Sequence, residues 1–162
     1  MTQASHVSDR YILFMVAGTS YAVPSVAVRH MEMVEVITRV PNAPAFVDGV
    51  VFSRGQVVPV VNLRARFGFD RVPSTLRTRL MVVEAAGRTV GLIADEAREF
   101  VAIPAGAIQP PHETLTGTSG RYLEGIATLG DRMILILHLD GVLDFGDLPA
   151  AAAPPVGSGV PA

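Results

Sequence analysis

The chain contains no cysteine, no tryptophan and no lysine among its 162 residues. Each absence removes a class of chemistry. Without cysteine there is no disulfide, no thiolate metal ligand and no thiol nucleophile. Without lysine there is no phosphate-loop lysine, no Schiff base and no amine general base. Every one of the 13 basic side chains is therefore arginine, a fixed charge whose planar fork suits carboxylates. Charge as a whole is sparse, at 17% of residues with a formal net charge of −2. That balance argues against nucleic acid as the main partner. No stretch reaches the ~18 consecutive apolar residues of a membrane helix. Residues 1–9 lack the basic start and apolar run of a secretion signal. The expectation is a cytoplasmic protein with no direct membrane insertion.

What is present is an apolar fraction of 49%, dominated by valine, isoleucine and leucine. This is a globular composition, and the length allows one domain or two small, intimately packed subdomains. Tyr11 to Val16 reads as a buried strand, and Tyr21 to Val23 as a second, stopped at Pro24 after the turn Gly18-Thr19-Ser20. Ser25 is placed to cap a short helix running to His30, and Met33 to Thr38 alternates like a half-buried strand. Pro41-Asn42-Ala43-Pro44 excludes regular structure.

The clearest hairpin spans Gly49 to Leu63, with Val50–Ser53 and Gln56–Val61 as arms and Arg54-Gly55 as the turn. Pro59 cannot donate to a ladder, so its strand is expected at an edge or with a bulge. Asn62 is placed to cap one helical turn, with Gly68 as its stop. Leu80–Glu84, Thr89–Ala94 and Glu99–Ile103 read as three more strands. Leu123–Leu129 and Arg132–His138 form a second hairpin across Gly130-Asp131, a Gly-first pair suited to a type II′ turn. Leu139 to Phe145 reads as a closing helix. Short strands punctuated every 8–12 residues or so indicate a barrel or sandwich. Two hairpins, each followed by a helical turn, hint at two similar small barrels. The expected organisation is a flexible N-terminus over 1–9, a folded region over 10–148 and a flexible tail over 149–162. The first barrel is placed at about 20–80 and the second at about 81–138 plus terminal elements.

Catalytic patterns fail one by one. The histidines, His6, His30, His112 and His138, include no i,i+4 pair and no accompanying carboxylate cluster, so no metal site and no cofactor is expected. Gly117, Gly120 and Gly125 precede a strand instead of joining a strand to a helix, so they read as a plain loop and not a nucleotide site. No serine lies in a G-x-S-x-G elbow. The arginines at 64, 66, 71, 77 and 79 read as a solvated loop rim, and Phe67 and Phe69 as core plugs. A catalytic site is not expected; a binding scaffold is.

The residues around the first hairpin carry a resemblance. Pro41-Asn42-Ala43-Pro44-Ala45-Phe46, Gly49-Val50 and Ser53-Arg54-Gly55-Gln56-Val57-Val58-Pro59-Val60-Val61-Asn62-Leu63-Arg64 resemble the CheW family. So do Val90-Gly91-Leu92-Ile93-Ala94-Asp95, Tyr122-Leu123-Glu124-Gly125 and Leu129 through Leu137, in the family's order. The resemblance implies a mainly β fold of two packed five-stranded SH3-like barrels with short helices. It implies a non-catalytic adaptor that couples chemoreceptors to a CheA-type histidine kinase. The implied partners are the kinase regulatory domain, the cytoplasmic receptor tip and CheW-like neighbours in rings, placing the chain in receptor arrays at the inner face of the membrane. Position by position, Arg54, Gly55, Gly49, Val28 and His30 are the implied partner-binding residues. Val28 and Gly49 also have plain structural roles open to them, core packing and backbone conformation.

Three departures cluster at this surface. His30 stands where the family usually has a glutamate, the expected partner of the Arg54 position. Phe52-Ser53 replaces Asn-Leu, and Asn62 replaces aspartate. Arg54 is therefore expected either to pair with Glu32 or to be free for a partner's carboxylate. The departures also fit a divergent paralogue serving pilus motility or another chemosensory-like pathway. A small-molecule-binding β-barrel is the remaining alternative, from a different class.

Overall fold

The computed structural model describes residues 10–85, 87–111 and 120–144. The expected tails, together with His6, His112 and Gly117, lie outside the described residues. Among the described residues, eleven strands form two sheets. They are β1 (Arg10–Val16), β2 (Thr19–Pro24), β3 (Val28–Met33), β4 (Val47–Ser53), β5 (Gln56–Asn62), β6 (Arg79–Ala85), β7 (Arg88–Ala94), β8 (Glu96–Ala102), β9 (Ile108–Gln109), β10 (Leu123–Leu129) and β11 (Arg132–Leu137). One sheet runs β8-β1-β2-β11-β10-β9, the last a two-residue strand; the other runs β3-β6-β7-β5-β4. Each curls into a small SH3-like barrel. The two share a motif: a hairpin, a helical turn, and a parallel pairing of the hairpin's second strand, β5 with β7 and β11 with β2.

The expected division near residue 80 does not follow sheet membership. The 28–94 stretch builds the five-stranded sheet, while β1 and β2 join 96–137 in the other. The parallel pairings cause this, because each barrel needs a strand distant in sequence to close it.

Strand alternation explains the packing. In β1, Ile12, Phe14 and Val16 face one core while Tyr11 and Leu13 face another. In β6, Met81 and Val83 join the first of these cores, and Leu80 and Val82 point into the five-stranded barrel. The result is three apolar layers: one inside each barrel and a seam between them built from both sheets. Both strand faces are apolar because both are buried.

Local structure follows the expected lines with three exceptions. Asn62 caps the turn Leu63–Arg66 through its side-chain oxygen, which accepts from Ala65 N–H at 3.1 Å, and Gly68 ends it at φ +91°. Gly130 alone is left-handed in its hairpin, as a type II′ turn requires. The predicted helix to His30 shrinks to a 3-10 turn at Ser25–Ala27, without a serine cap, because Val28 onward is drawn into a ladder with β6. Of the expected strand Met33–Thr38, Met33 ends β3 and Thr38 keeps a single bridge to Val50. Pro59 lies on β5, an interior strand and not an edge. It is tolerated because Val50 opposite it turns both backbone groups outward to Thr38, and the β7 pairing begins one residue later at Val60.

Candidate functional site

The β4–β5 hairpin turns through Arg54 at φ +49° and Gly55 at φ +87°. Two left-handed residues in succession make a type I′ turn, where Asn or Gly is the comfortable choice. Arginine there carries strain of about 1 kcal/mol or more. Arg54 is exposed and, among the described residues, forms no hydrogen bond or ion pair. Beside it Phe52 and Val57 are register partners on the outer face, 75% and 62% exposed. Two apolar side chains thus lie side by side in water, next to an unpaired guanidinium.

Behind the turn lies a polar latch. The Ser53 hydroxyl donates to Glu32 Oε2 at 2.6 Å. His30 Nε2 lies 2.7 Å from the same carboxylate oxygen and 3.1 Å from Ser53 Oγ. The Ser53 bond holds the Glu32 carboxyl below its usual range; partial burial opposes this, and His30 and the charge of Arg54 add to it. These side chains connect β3 and β4, the two edges of the five-stranded sheet, where no strand ladder joins them. The trio is not a hydrolytic relay. One histidine nitrogen meets both partners, whereas a relay needs acid and hydroxyl on opposite nitrogens.

The expected pairing of Arg54 with Glu32 is thus not a direct bridge. His30 and Ser53 occupy that carboxylate, and Arg54 reaches it only through its charge. Gly55 completes the turn with open space around it. Gly49 is buried at φ +141°, where a Cβ would overlap the Thr38 carbonyl. Its role in the described chain is backbone geometry. Val28 packs half-buried against the shared seam and opposes Val83. His30 and the Arg54-Gly55 turn are therefore linked through Ser53; Gly49 supports β4 from within, and Val28 opens β3 two residues before His30 and packs towards the seam.

A second surface escaped the sequence reading. A groove of about 340 Å³ runs between the two sheets, lined by Met31, Glu32, Met33, Arg79, Glu99 and Phe100 among others. Phe100 is 66% exposed on its rim. Its lining comes from β1, β3, β6 and β8, so only the fold assembles it. The legible signal was two methionines alternating with Glu32 on one strand.

The basic stretch is not a solvated rim throughout. Arg64 grips Asp95 with Nε–Oδ1 at 2.9 Å and Nη2–Oδ2 at 2.8 Å. Asp95 also accepts from Ala17 N–H at 2.8 Å, at a left-handed turn in the other sheet. Burial alone would raise the Asp95 carboxyl; the Arg64 bonds, the Ala17 amide and the Arg64 charge outweigh it and hold it low. Arg66 donates to the Val142 and Asp144 carbonyls and lies 4.0 Å over the Phe46 ring. Arg71 bonds Asp48, which also receives Asn62 Nδ2 at 2.9 Å. Phe67 stacks on Tyr21 at 5.2 Å, as a core plug should, but Phe69 is largely exposed. Among the described residues no cluster of three metal-ligating side chains occurs.

The family model described as the CheW-like domain matches residues 10–146. The chain belongs to this family. The chemotaxis protein CheW of Klebsiella aerogenes is 27% identical over 137 residues, covering 85% of this chain and 82% of that protein. The CheW of Rhizobium meliloti (strain 1021) is 31% identical over 151 residues, covering 91% and 97%. The crystal structure of the scaffolding protein TtCheW from Thermoanaerobacter tengcongensis matches with a TM-score of 0.80 at 29% identity, covering 87% of this chain and 96% of that one. Against the CheW pattern, the three departures fall into two physical groups. His30 and Ser53 belong to one latch, and Asn62 forms a separate brace that uses both ends of its amide.

Proposed function

We propose that this chain is a non-catalytic chemotaxis adaptor that holds a CheA-type kinase and a chemoreceptor tip at two separate surfaces. The observation that carries the reading is the presence of two exposed apolar surfaces on a chain whose barrels and seam are otherwise filled with side chains. The hairpin face of Phe52, Val57 and Arg54 suits a barrel-like regulatory domain of the kinase, with an aromatic anchor and a charge that fixes orientation. The groove between the sheets suits a helix. Met31, Met33 and Phe100 offer adaptable apolar contacts, and Arg79 and Glu99 flank them with opposite charges. Among the described residues no helix is long and apolar enough to cross a membrane. Receptor binding would therefore be what brings the chain to arrays at the inner membrane face. The filled barrel interiors favour this reading over a small-molecule-binding barrel.

Binding of the intact chain to the cognate kinase regulatory domain and to a receptor-tip fragment tests the proposal by titration calorimetry. Arg54→Asn keeps or relaxes the turn, so a loss of about 10–100-fold in kinase affinity, with receptor affinity kept, reports contact and not unfolding. Phe100→Asp should do the reverse. Failure of the wild-type chain to bind either partner refutes the reading.

A further inference from the structure

The latch behind the hairpin bears on which partners Arg54 can meet. Glu32 is the acidic side chain whose carboxylate feels the charge of Arg54. Its Oε2 already takes the Ser53 hydroxyl at 2.6 Å and His30 Nε2 at 2.7 Å. Ser53 is buried and His30 mostly so, which makes both bonds costly to leave unmade. Turning Glu32 out towards Arg54 would break them together. The guanidinium therefore stays in solvent at a turn where arginine is strained, a placement that stability alone does not favour.

We infer that His30 and Ser53 act as a specificity device: by engaging Glu32 they leave Arg54 unclaimed within the chain and direct it to a carboxylate on the partner's docking face. The inference rests on the hairpin being a docking surface. A glutamate at position 30 would supply a competing acceptor on β3 and draw the guanidinium inward. The chain would then present an apolar face with its charge neutralised, and would favour a partner lacking the carboxylate. Charge supply at a rim sets selectivity and salt dependence more than bulk affinity, so the device discriminates among otherwise similar barrel partners.

The test is a double-mutant cycle on the full chain with His30→Glu, Arg54→Asn and both, titrated against the cognate kinase regulatory domain at low and high salt. Arg54→Asn should weaken binding about 10–100-fold, and His30→Glu alone should reproduce at least half of that loss in logarithmic terms by capturing Arg54. Adding Arg54→Asn to His30→Glu should then cost little more, and the salt dependence should flatten in all three variants. Wild-type affinity in His30→Glu, or losses that multiply in the double variant, would overturn the inference. Urea unfolding of the same four chains gives an arm that needs no partner. Arg54→Asn should destabilise the His30→Glu background while leaving the wild-type background unchanged or more stable; equal effects in both overturn the inference. If the wild-type chain does not bind the regulatory domain, the functional reading fails, and the urea arm still decides whether residue 30 controls Arg54. Should His30→Glu not fold, His30→Ala combined with Ser53→Ala removes both bonds to the Glu32 carboxylate and must reproduce the affinity loss.

Discussion

Gly49→Ala separates a backbone role from a contact role at a position the family resemblance associates with coupling. Gly49 is buried at φ +141°, beside a register shift in β4. A methyl group there would overlap the Thr38 carbonyl. Thr38 cannot retreat freely, because it exchanges two backbone hydrogen bonds with Val50, at 2.9 and 2.8 Å. The backbone strain amounts to about 1–3 kcal/mol, and loosening the two bonds adds about 1 kcal/mol each. The sum is about 3–5 kcal/mol, a large fraction of the ~5–15 kcal/mol available to a domain of this kind. With a urea slope of about 2 kcal/mol/M, the unfolding midpoint should fall by about 2 M. Gly55→Ala is the matched control. That residue is also left-handed, at φ +87°, but a Cβ there meets nothing within 4 Å, so only about 1–2 kcal/mol is expected. The reasoning is refuted if Gly49→Ala costs under ~1 kcal/mol, or no more than Gly55→Ala.

Two further outcomes follow from the polar braces. Asn62→Asp restores the family's residue but sets a carboxylate against Asp48, which now accepts from Asn62 at 2.9 Å; it should destabilise by about 1–2 kcal/mol at pH 7, measured by urea midpoints. Glu32 and Asp95 both have carboxyls held low in the folded chain, so their stabilisation is complete above the unfolded values near 4 and is lost as pH falls through the folded ones. Stability should be level from pH 7 to about 5 and decline below about 4, and Asp95→Asn should flatten that decline; a midpoint that already drops between pH 7 and 5.5 contradicts the assignment.

The strands were legible because residues such as Val58 to Val61 and Ile134 to Leu137 are apolar on both faces, and such runs bounded by turn pairs have few alternatives. Arg54-Gly55, Asn62 and Gly68 were legible because local backbone chemistry decides them. The barrel division was not legible. The parallel pairings of β5 with β7 and β2 with β11 join segments whose proximity no local pattern encodes. The basic stretch misled for a similar reason. Arg64 finds its carboxylate 31 residues away and Arg66 its carbonyls 76 and 78 residues away. His30 stands out as a departure from the family, and Glu32 shares its strand face, but its partner Ser53 emerges only when two sheet edges meet.

An adaptor must fix the mutual geometry of its partners, and several features of this chain serve that end. The seam packs side chains of both sheets into one apolar layer, so neither barrel can turn without opening it. Asp95, at the crossing from β7 to β8, ties Arg64 of one sheet to the Ala17 turn of the other. The hairpin face and the groove, the two surfaces proposed to dock partners, are then held on a stiff frame and meet at one residue. Glu32 lines the groove with its neighbours Met31 and Met33, and its carboxylate anchors the latch behind Arg54. A helix settling in the groove would press on the same strand that positions the hairpin. Substitutions at Glu32 should therefore disturb both partners, whereas those at Phe100 or Arg54 disturb one each. That contrast distinguishes a shared structural pivot from two independent sites.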